Sequence, residues 1–216
     1  MELLYENSLY KLKIKNENVT IILADDILRN SLVNKMFLSG INVIALSNKL
    51  YTNNLRDELK RLDLNDEVVK TLNCDRIIDT DFKSLSMQDL AYVHIIIGLS
   101  KLPKVILLYD ILTYLKKDDK DKVIEFLKQR NITIINFTSC EEEFLYCENM
   151  IIIDGNKVIM EGLTKEVLKN EKVIRRLGFN LPFVVDLSTQ LKLYRVLDKY
   201  YYDTEELVDV LCKKVD

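Results

Sequence analysis

Glycine is scarce in this sequence. The 216 residues include only five glycines, and the two in the first half of the chain, Gly40 and Gly98, lie far apart. Loops that hold phosphate groups with backbone N–H donors need glycines at fixed offsets, because side chains would block the approach of the backbone. The sequence therefore excludes a glycine-rich phosphate-binding loop.

Residues that ligate metal ions are scarce as well. His94 is the sole histidine, and the four cysteines show no C-x-x-C spacing. A tetrahedral zinc site draws its four ligands mainly from these two residue types, so we predict no metal site. The absence of a disulfide-like pattern favours a reducing cytosol. The cysteines are Cys74, Cys140, Cys147 and Cys212.

An excess of positive charge and long apolar runs are also absent. The chain has 31 Lys and Arg residues against 34 Asp and Glu residues, a net charge of −3, so we predict no nucleic-acid partner. No apolar run approaches the ~20 residues that cross a bilayer, and the N-terminus lacks the features of a signal peptide. We expect a cytoplasmic chain that reaches a membrane only through a partner.

The sequence does contain short apolar, β-branched runs that alternate with stretches of helical spacing. Runs that are apolar on both faces are typical of parallel strands covered by helices, so we predict an α/β fold with a mainly parallel sheet. The predicted strands are Val19–Leu23, Asn42–Leu46, Val105–Tyr109, Ile132–Phe137 and Met150–Ile153, and the predicted helices are Ser31–Leu38, Leu85–Leu102 and Asp118–Arg130.

The last third of the chain has a different organisation. Asp154-Gly155-Asn156-Lys157 is typical of a tight turn, which predicts an antiparallel hairpin. After Gly162 the pattern is entirely helical. We predict an α/β domain over residues 1–163, with a helical part at about 50–102, and a C-terminal helical appendage over residues 164–216. Its predicted helices are Thr164–Lys169, Lys172–Leu177, Pro182–Tyr200 and one that starts at Thr204, with both threonines as caps.

Several landmarks follow one another in a fixed order. They are Leu85-Ser86-Met87-Gln88-Asp89, Pro103-Lys104-Val105-Ile106-Leu107-Leu108, Leu115, Thr133-Ile134-Ile135-Asn136-Phe137-Thr138 and Ile151-Ile152-Ile153-Asp154-Gly155. In order and spacing they resemble the second half of an ABC-transporter ATPase domain, which has a P-loop NTPase fold. Leu50–Leu59 and Leu177–Leu187 resemble stretches of the ATPase subunits of energy-coupling factor transporters, which import vitamins and metal ions.

The resemblance places the family's nucleotide loop at Ala24–Leu32. Arg29 stands near the place of the loop lysine, and Ser31 near that of the metal-binding hydroxyl. Asp25 and Asp26 put two carboxylates at a helix N-terminus that would otherwise receive phosphate. Each repels a phosphate by on the order of 1–4 kcal/mol at ~4 Å. We interpret both as caps, with Arg29 paired to one of them a turn later.

The catalytic positions are altered too. Tyr109 takes the place of the metal-organising Asp and is interpreted as a packing residue, while Asp110 takes the place of the catalytic Glu with a side chain one methylene shorter. A neutral phenol cannot replace a carboxylate beside Mg²⁺. Ser139 replaces the switch histidine, and we interpret His94 as a packed core residue.

In the signature, Ser86 is retained but the glycines are replaced by Met87 and Gln88, whose side chains would block a phosphate across a dimer interface. Ser86 with Asp89 also fits a helix capping box. Lys116 occupies the D-loop Asp position, and no glutamine precedes Gln88, so the Q-loop glutamine is missing.

These substitutions leave three functions open. The first is a degenerate, non-hydrolysing ATPase-like subunit that binds no cofactor and pairs with an ATPase sibling or a transmembrane coupling subunit, as a homo- or heterodimer on the inner face of the membrane. The second is an active but divergent ATPase that uses ATP and Mg²⁺ with Arg29, Ser31 and Asp110. The third is an α/β interaction module unrelated to transport.

Two charged clusters are interpreted as ordinary surface. Glu141-Glu142-Glu143, together with Glu148, is expected to form a solvated acidic helix face, and Lys116–Lys122 is expected to form a mixed-charge loop.

Overall fold

The computed structural model describes residues 2–6, 11–16, 18–101, 103–155 and 157–215. The strands are β1 (Glu2–Glu6), β2 (Lys11–Lys15), β3 (Val19–Leu23), β4 (Asn42–Ile44), β5 (Val105–Tyr109), β6 (Thr133–Phe137), β7 (Asn149–Asp154) and β8 (Lys157–Leu163). The α-helices are α1 (Asp26–Leu38), α2 (Leu55–Arg61), α3 (Glu67–Thr71), α4 (Met87–Ser100), α5 (Lys117–Gln129), α6 (Thr164–Leu168), α7 (Glu171–Arg176), α8 (Phe183–Leu193) and α9 (Thr204–Val215). Short 3₁₀ helices lie at Asp75–Ile77, Phe82–Ser84, Leu112–Tyr114 and Glu141–Tyr146.

A six-stranded sheet in the order β4-β5-β6-β3-β7-β8 forms the centre of the fold. Its first five strands are parallel, with Leu108 beside Asn136 and Leu23 beside Ile152, while β8 is antiparallel to β7. The predicted α/β class and the late hairpin are therefore confirmed; Asn156 of the predicted turn lies outside the described residues. In a parallel sheet all carboxyl ends meet at one edge, so the segments after β3, β5 and β6 are neighbours.

Helices cover both faces of the sheet. On one face, Leu32 and Met36 of α1 pack with Leu12 and Ile14 of β2. Strand β2 pairs antiparallel with β1, and the sequence predicted neither of these strands. On the other face, α4 and α5 belong to a larger hydrophobic cluster. This second cluster includes Ile174, Val185 and Leu207 of the C-terminal helices. The division of the chain at residue 163 stays a prediction.

Gly98 shows how closely α4 approaches the sheet. A Cβ atom at this position would lie 2.5 Å from Cδ1 and 2.6 Å from Cγ1 of Ile44. The Gly98 carbonyl also accepts a hydrogen bond from Asn42 Nδ2 at 2.8 Å. Because a side chain would force these contacts apart, glycine fixes the distance between α4 and β4.

Several predicted boundaries and caps were wrong. Helix α1 begins five residues before the predicted Ser31, and Lys116–Lys122 is not a loop, because α5 begins at Lys117. Helix α8 ends at Leu193, since Arg195 has a left-handed φ of 60°.

The two predicted threonine caps do not form. The Thr164 side chain makes no cap hydrogen bond, and Leu163 is the N-cap residue of α6. At the start of α9, Asp203 Oδ1 accepts the hydrogen bond from the backbone N–H of Glu206 at 2.9 Å. No helix in the described part of the chain is long and apolar enough to cross a membrane.

Candidate functional site

Only two residues connect β3 to α1 at the carboxyl edge of the sheet. The strand ends at Leu23 and the helix begins at Asp26, so Ala24 and Asp25 are the whole connection. The Asp25 carboxylate accepts a hydrogen bond from the backbone N–H of Leu28 at 2.9 Å, as its predicted cap role requires. The connection is too short to wrap around a phosphate group.

The Arg29 side chain binds two carboxylates at this edge. Its guanidinium lies 3.0 Å from Asp26 Oδ1 and 3.3 Å from Asp110 Oδ2, and its side chain is 15% exposed. The guanidinium carbon also lies 5.2 Å from the ring centroid of Tyr109. The predicted pairing with an aspartate one turn away is confirmed. The second partner, Asp110, directly follows β5 and lies 81 positions later in the chain.

Asp110 is held by Arg29 of α1 and by residues at and just after the end of β6. Besides Arg29, its Oδ1 accepts hydrogen bonds from the Ser139 backbone N–H at 2.8 Å and from Ser139 Oγ at 3.1 Å. Its backbone has a left-handed φ of 49°, and its N–H donates to the carbonyl of Phe137 at 2.9 Å. These contacts occupy the carboxylate that would otherwise be available to orient a water molecule.

Tyr109 does more than pack. Its hydroxyl donates a hydrogen bond to Asn30 Oδ1 at 2.6 Å, which ties the end of β5 to α1. The interpretation of Tyr109 as a packing residue missed this contact, and sequence analysis did not single out Asn30. We call Asp26, Arg29, Asp110 and Ser139 the closed cluster.

Two predicted site residues lie apart from this cluster. Ser86 caps α4: its Oγ accepts from the backbone N–H of Asp89 at 3.1 Å and donates to Asp89 Oδ2 at 2.7 Å, as the capping-box interpretation predicted. Burial raises the pKa of Asp89, but hydrogen bonds from Arg76 and Ser86 outweigh it and leave that pKa low. Within the described residues, Ser31 makes no hydrogen bond to the closed cluster.

A cavity of about 200 Å³ lies beside the closed cluster. Its lining includes Arg29 and Ser139 from the cluster and the Gly178–Asn180 loop between α7 and α8. The backbone N–H of Phe183 also donates to Glu142 Oε1 at 2.6 Å. The C-terminal helices therefore contact the segment that follows β6, next to the cluster.

Two curated proteins show what the sequence is similar to. The energy-coupling factor transporter ATP-binding protein EcfA1 of Mycoplasmoides gallisepticum is 31% identical over 104 residues, which are 47% of this chain and 36% of that protein. EcfA1 of Mycoplasma mobile is 27% identical over 173 residues, 78% of this chain and 60% of that protein. The chain spans about a third to three-fifths of the length of the curated relatives it matches. No protein-family model matches the sequence.

Solved structures of ABC ATPases superpose on most of this chain. CbiO1 of Clostridium perfringens, part of the ABC transporter complex CbiONQ, has a TM-score of 0.64 at 21% identity and covers 86% of this chain and 96% of its own. The chain has the fold of an ABC transporter ATPase. A nucleotide-free ATP-binding cassette gives a TM-score of 0.65 at 14% identity, over 81% of this chain. Among ABC ATPases, the sequence is similar to the ATP-binding proteins of energy-coupling factor transporters.

The residues at the nucleotide position of this ABC ATPase fold do not fit Mg-ATP. The connection from β3 to α1 has no glycine and is too short to surround a phosphate group. The Asp26 carboxylate lies in the first turn of α1. Arg29 is already paired with carboxylates, and the neutral Tyr109 hydroxyl beside it donates to Asn30. Within the described ranges, no three His, Cys, Asp or Glu side chains are grouped to hold a metal ion.

His94 lies in the core, as predicted. It is 6% exposed within α4, and burial lowers its pKa despite the opposing charge of Glu58. We expect the free energy of unfolding to fall as the pH drops from 7 to 5, because unfolded His94 takes up a proton near its ordinary pKa of about 6.5 while folded His94 does so only at lower pH. One proton gives a slope of at most about 1.4 kcal/mol per pH unit.

Urea unfolding at several pH values measures this slope. The variant His94→Leu should flatten it, since the chain has no other histidine. Glu58 and Asp89, whose pKa values are lowered, affect stability only near and below their ordinary range of about 4. An unchanged slope in the variant would show that other groups cause the dependence.

The acidic segment after the closed cluster is solvated only in part: Glu142 is exposed, and Glu143 is not. Glu143 is fully buried: its Oε1 accepts from Lys120 Nζ at 3.1 Å and from Thr113 Oγ1 at 3.1 Å, and Asn136 Nδ2 donates to its Oε2 at 3.3 Å. Glu148 Oε2 accepts from the backbone N–H of Val19 at 2.7 Å. The predicted solvated face is therefore wrong at Glu143, and Lys120, which was predicted to lie in a surface loop, is buried beside it.

Proposed function

We propose that this protein is a non-hydrolysing, ATPase-like subunit of an energy-coupling-factor-type import complex. The observation that carries the proposal is the closed cluster, in which Arg29 and Ser139 occupy the Asp110 carboxylate. In this interpretation the chain keeps the ABC ATPase fold and supplies an interaction surface in place of nucleotide chemistry.

The chemical argument has two steps. Phosphate binding at the start of α1 would need the cationic Arg29 to leave Asp26 and Asp110, and the phosphate would still lie beside both carboxylates. Water activation would need Asp110 to give up its hydrogen bonds from Ser139. Because Arg29 is ion-paired with both carboxylates and Asp110 accepts hydrogen bonds from Ser139, each step costs the free energy of the existing contacts.

A preordered surface on the helical part supports a docking role. Tyr51 is 62% exposed, and its ring centroid lies 4.8 Å from Lys49 Nζ and 4.7 Å from the guanidinium carbon of Arg61. The buried Glu58 carboxylate accepts hydrogen bonds from the backbone N–H groups of Tyr51 and Thr52 at 3.1 and 3.0 Å, which fixes the loop. An exposed aromatic ring flanked by cations is typical of interface anchors. We propose a transmembrane coupling subunit, an ATPase sibling or both as partners, at the inner membrane face.

Calorimetry with Mg-ATP on the full chain tests the proposal. We expect no heat of binding at concentrations that saturate an ABC ATPase with an intact glycine-rich loop, which serves as the positive control. Micromolar affinity would contradict the proposal and favour the active, divergent ATPase; turnover abolished by Asp110→Asn would then assign the base.

Affinity purification from native membranes distinguishes the transport role from an unrelated interaction module. Recovery of a transmembrane subunit or an ABC ATPase with intact motifs supports the proposal. Recovery of partners without either would favour the module.

A further inference from the structure

A long groove follows one side of α5, away from the closed cluster. Cavities of about 750, 430 and 190 Å³ meet there and share Leu145 as a lining residue. Lys117, Asp121, Ile124 and Lys128 of α5 line it at helical spacing, so the groove runs along the whole helix. At 1.5 Å per residue, the 13 residues of α5 give it a length of about 20 Å.

The floor of this groove is mostly apolar. Ile124, Leu145 and Leu163 line its largest part, and Leu163 is 57% exposed. Thr164 lines two of the three cavities and is 3% exposed, yet its hydroxyl oxygen has no hydrogen-bond partner among the residues that the structure describes. A buried, unpaired hydroxyl is costly unless something supplies a partner, and a ligand in the groove would do so.

Both walls of the groove are acidic. Asp121 and Glu125 lie on the α5 wall, and Glu166, Asp203 and Glu206 lie on the opposite wall. These carboxylates are spread along the groove and do not converge on one point.

Lysines offset only part of this charge. Lys128 pairs with Glu148 and Lys120 with Glu143, while the wall residues Glu166 and Glu206 pair with Lys169 and Lys199. Lys117 and Lys165 also line the groove. Among the residues that the structure describes, the wall carboxylates without an ion pair are Asp121, Glu125 and Asp203. Burial and the wall carboxylates together affect two tyrosines that line the groove. Burial, with the neighbouring carboxylate of Asp121, raises the pKa of Tyr146 to about 12, and burial with the charge of Glu166 raises that of Tyr202 to about 12.

We propose that this groove binds a basic, amphipathic helical segment of another protein. The apolar floor would receive the apolar stripe of such a helix, and the carboxylates on the two walls would face its lysine or arginine side chains. A helix of about 13 residues matches the length of the groove. This inference does not depend on the proposed function, because none of its residues belongs to the closed cluster.

The distribution of charge and apolar surface argues against a small amine. A single ammonium group would engage one of Asp121, Glu125 and Asp203 and leave the other two without an ion pair. A linear polyamine could reach several carboxylates but has no side chains for the floor at Ile124, Leu145 and Leu163.

A labelled 14-residue model peptide of leucine and lysine, patterned as an amphipathic helix, provides the test by fluorescence anisotropy at physiological salt. We expect saturable binding by the full chain, and about tenfold weaker binding by the double variant Asp121→Lys/Glu125→Lys. The matched control is Asp154→Lys/Asp209→Lys, which makes the same change in net charge at two exposed residues outside the groove and should bind within twofold of the wild type.

Further measurements make the result decisive. Spermine should compete poorly with the peptide, and Thr164→Val should weaken peptide binding while leaving the unfolding midpoint of the free protein unchanged or higher, because the hydroxyl is unpaired there. Equal weakening by both charge variants, competition by spermine at equal concentration, or no saturable binding would each overturn the proposal. Circular dichroism spectra identify any variant that fails to fold. If a charge variant fails to fold, peptide binding by Thr164→Val tests the proposal.

Discussion

Replacing Lys120 with methionine is expected to lower the free energy of unfolding by about 3–5 kcal/mol. The change removes the charge that faces Glu143, a carboxylate with no exposed surface. Thr113 and Asn136 would still donate hydrogen bonds to it, but neither carries a positive charge. A buried charge without a counter-charge is among the most destabilising defects a point substitution can create. Urea unfolding followed by circular dichroism measures the loss.

Two further variants separate charge from packing. Lys122→Met lies two residues later on the same helix, where the side chain is 61% exposed and 3.6 Å from Asp119, and should change stability far less. The double variant Lys120→Met/Glu143→Gln should recover more than half of the loss, because the glutamine is neutral and keeps an acceptor for Thr113. If the double variant is no more stable than Lys120→Met, the defect comes from lost packing and not from the unpaired carboxylate.

The buried ion pair also shows where prediction from the sequence ends. Strands such as Val105–Tyr109 are apolar throughout, and that pattern alone identified them as central strands of a parallel sheet. By contrast, Glu141, Glu142 and Glu143 are chemically identical. Which one turns inward depends on the 3₁₀ geometry of the segment and on Lys120, 23 positions earlier. Long-range pairs of this kind leave no periodic signal.

The closed cluster was predictable only in part. The resemblance to ABC ATPases singled out Arg29, Asp110 and Ser139 one at a time, and the helical spacing correctly predicted the contact between Asp26 and Arg29. The contact between Arg29 and Asp110 depends on the order β5-β6-β3 in the sheet, which brings the ends of these strands to one edge. Once the strand order is known, the contact between Arg29 and Asp110 can be predicted. The hydrogen bond from Tyr109 to Asn30 also depends on how far α1 extends toward β3.

Replacing Arg29 with methionine is expected to lower the free energy of unfolding by about 2 kcal/mol. Most of that loss comes from Asp110, which is 25% exposed and would keep only its hydrogen bonds from Ser139. The pairing with Asp26, whose side chain is 86% exposed, contributes little. Loss of the contact with the Tyr109 ring adds a smaller amount. Urea unfolding of both proteins at pH 7 measures the difference.

The matched control is Arg56→Met. Arg56 also forms an ion pair with an aspartate, 2.6 Å from Asp79, but both side chains are more than half exposed. This variant should leave the unfolding midpoint nearly unchanged, since solvent screens exposed pairs. A second readout distinguishes a closed site from a damaged one: Arg29→Met should still give no heat with Mg-ATP, because the short connection at Ala24 and Asp25 remains. If Arg29→Met and Arg56→Met lose the same stability, the closed cluster has no special role in holding α1 against β5. If Arg29→Met gains ATP binding, Arg29 alone had blocked the site.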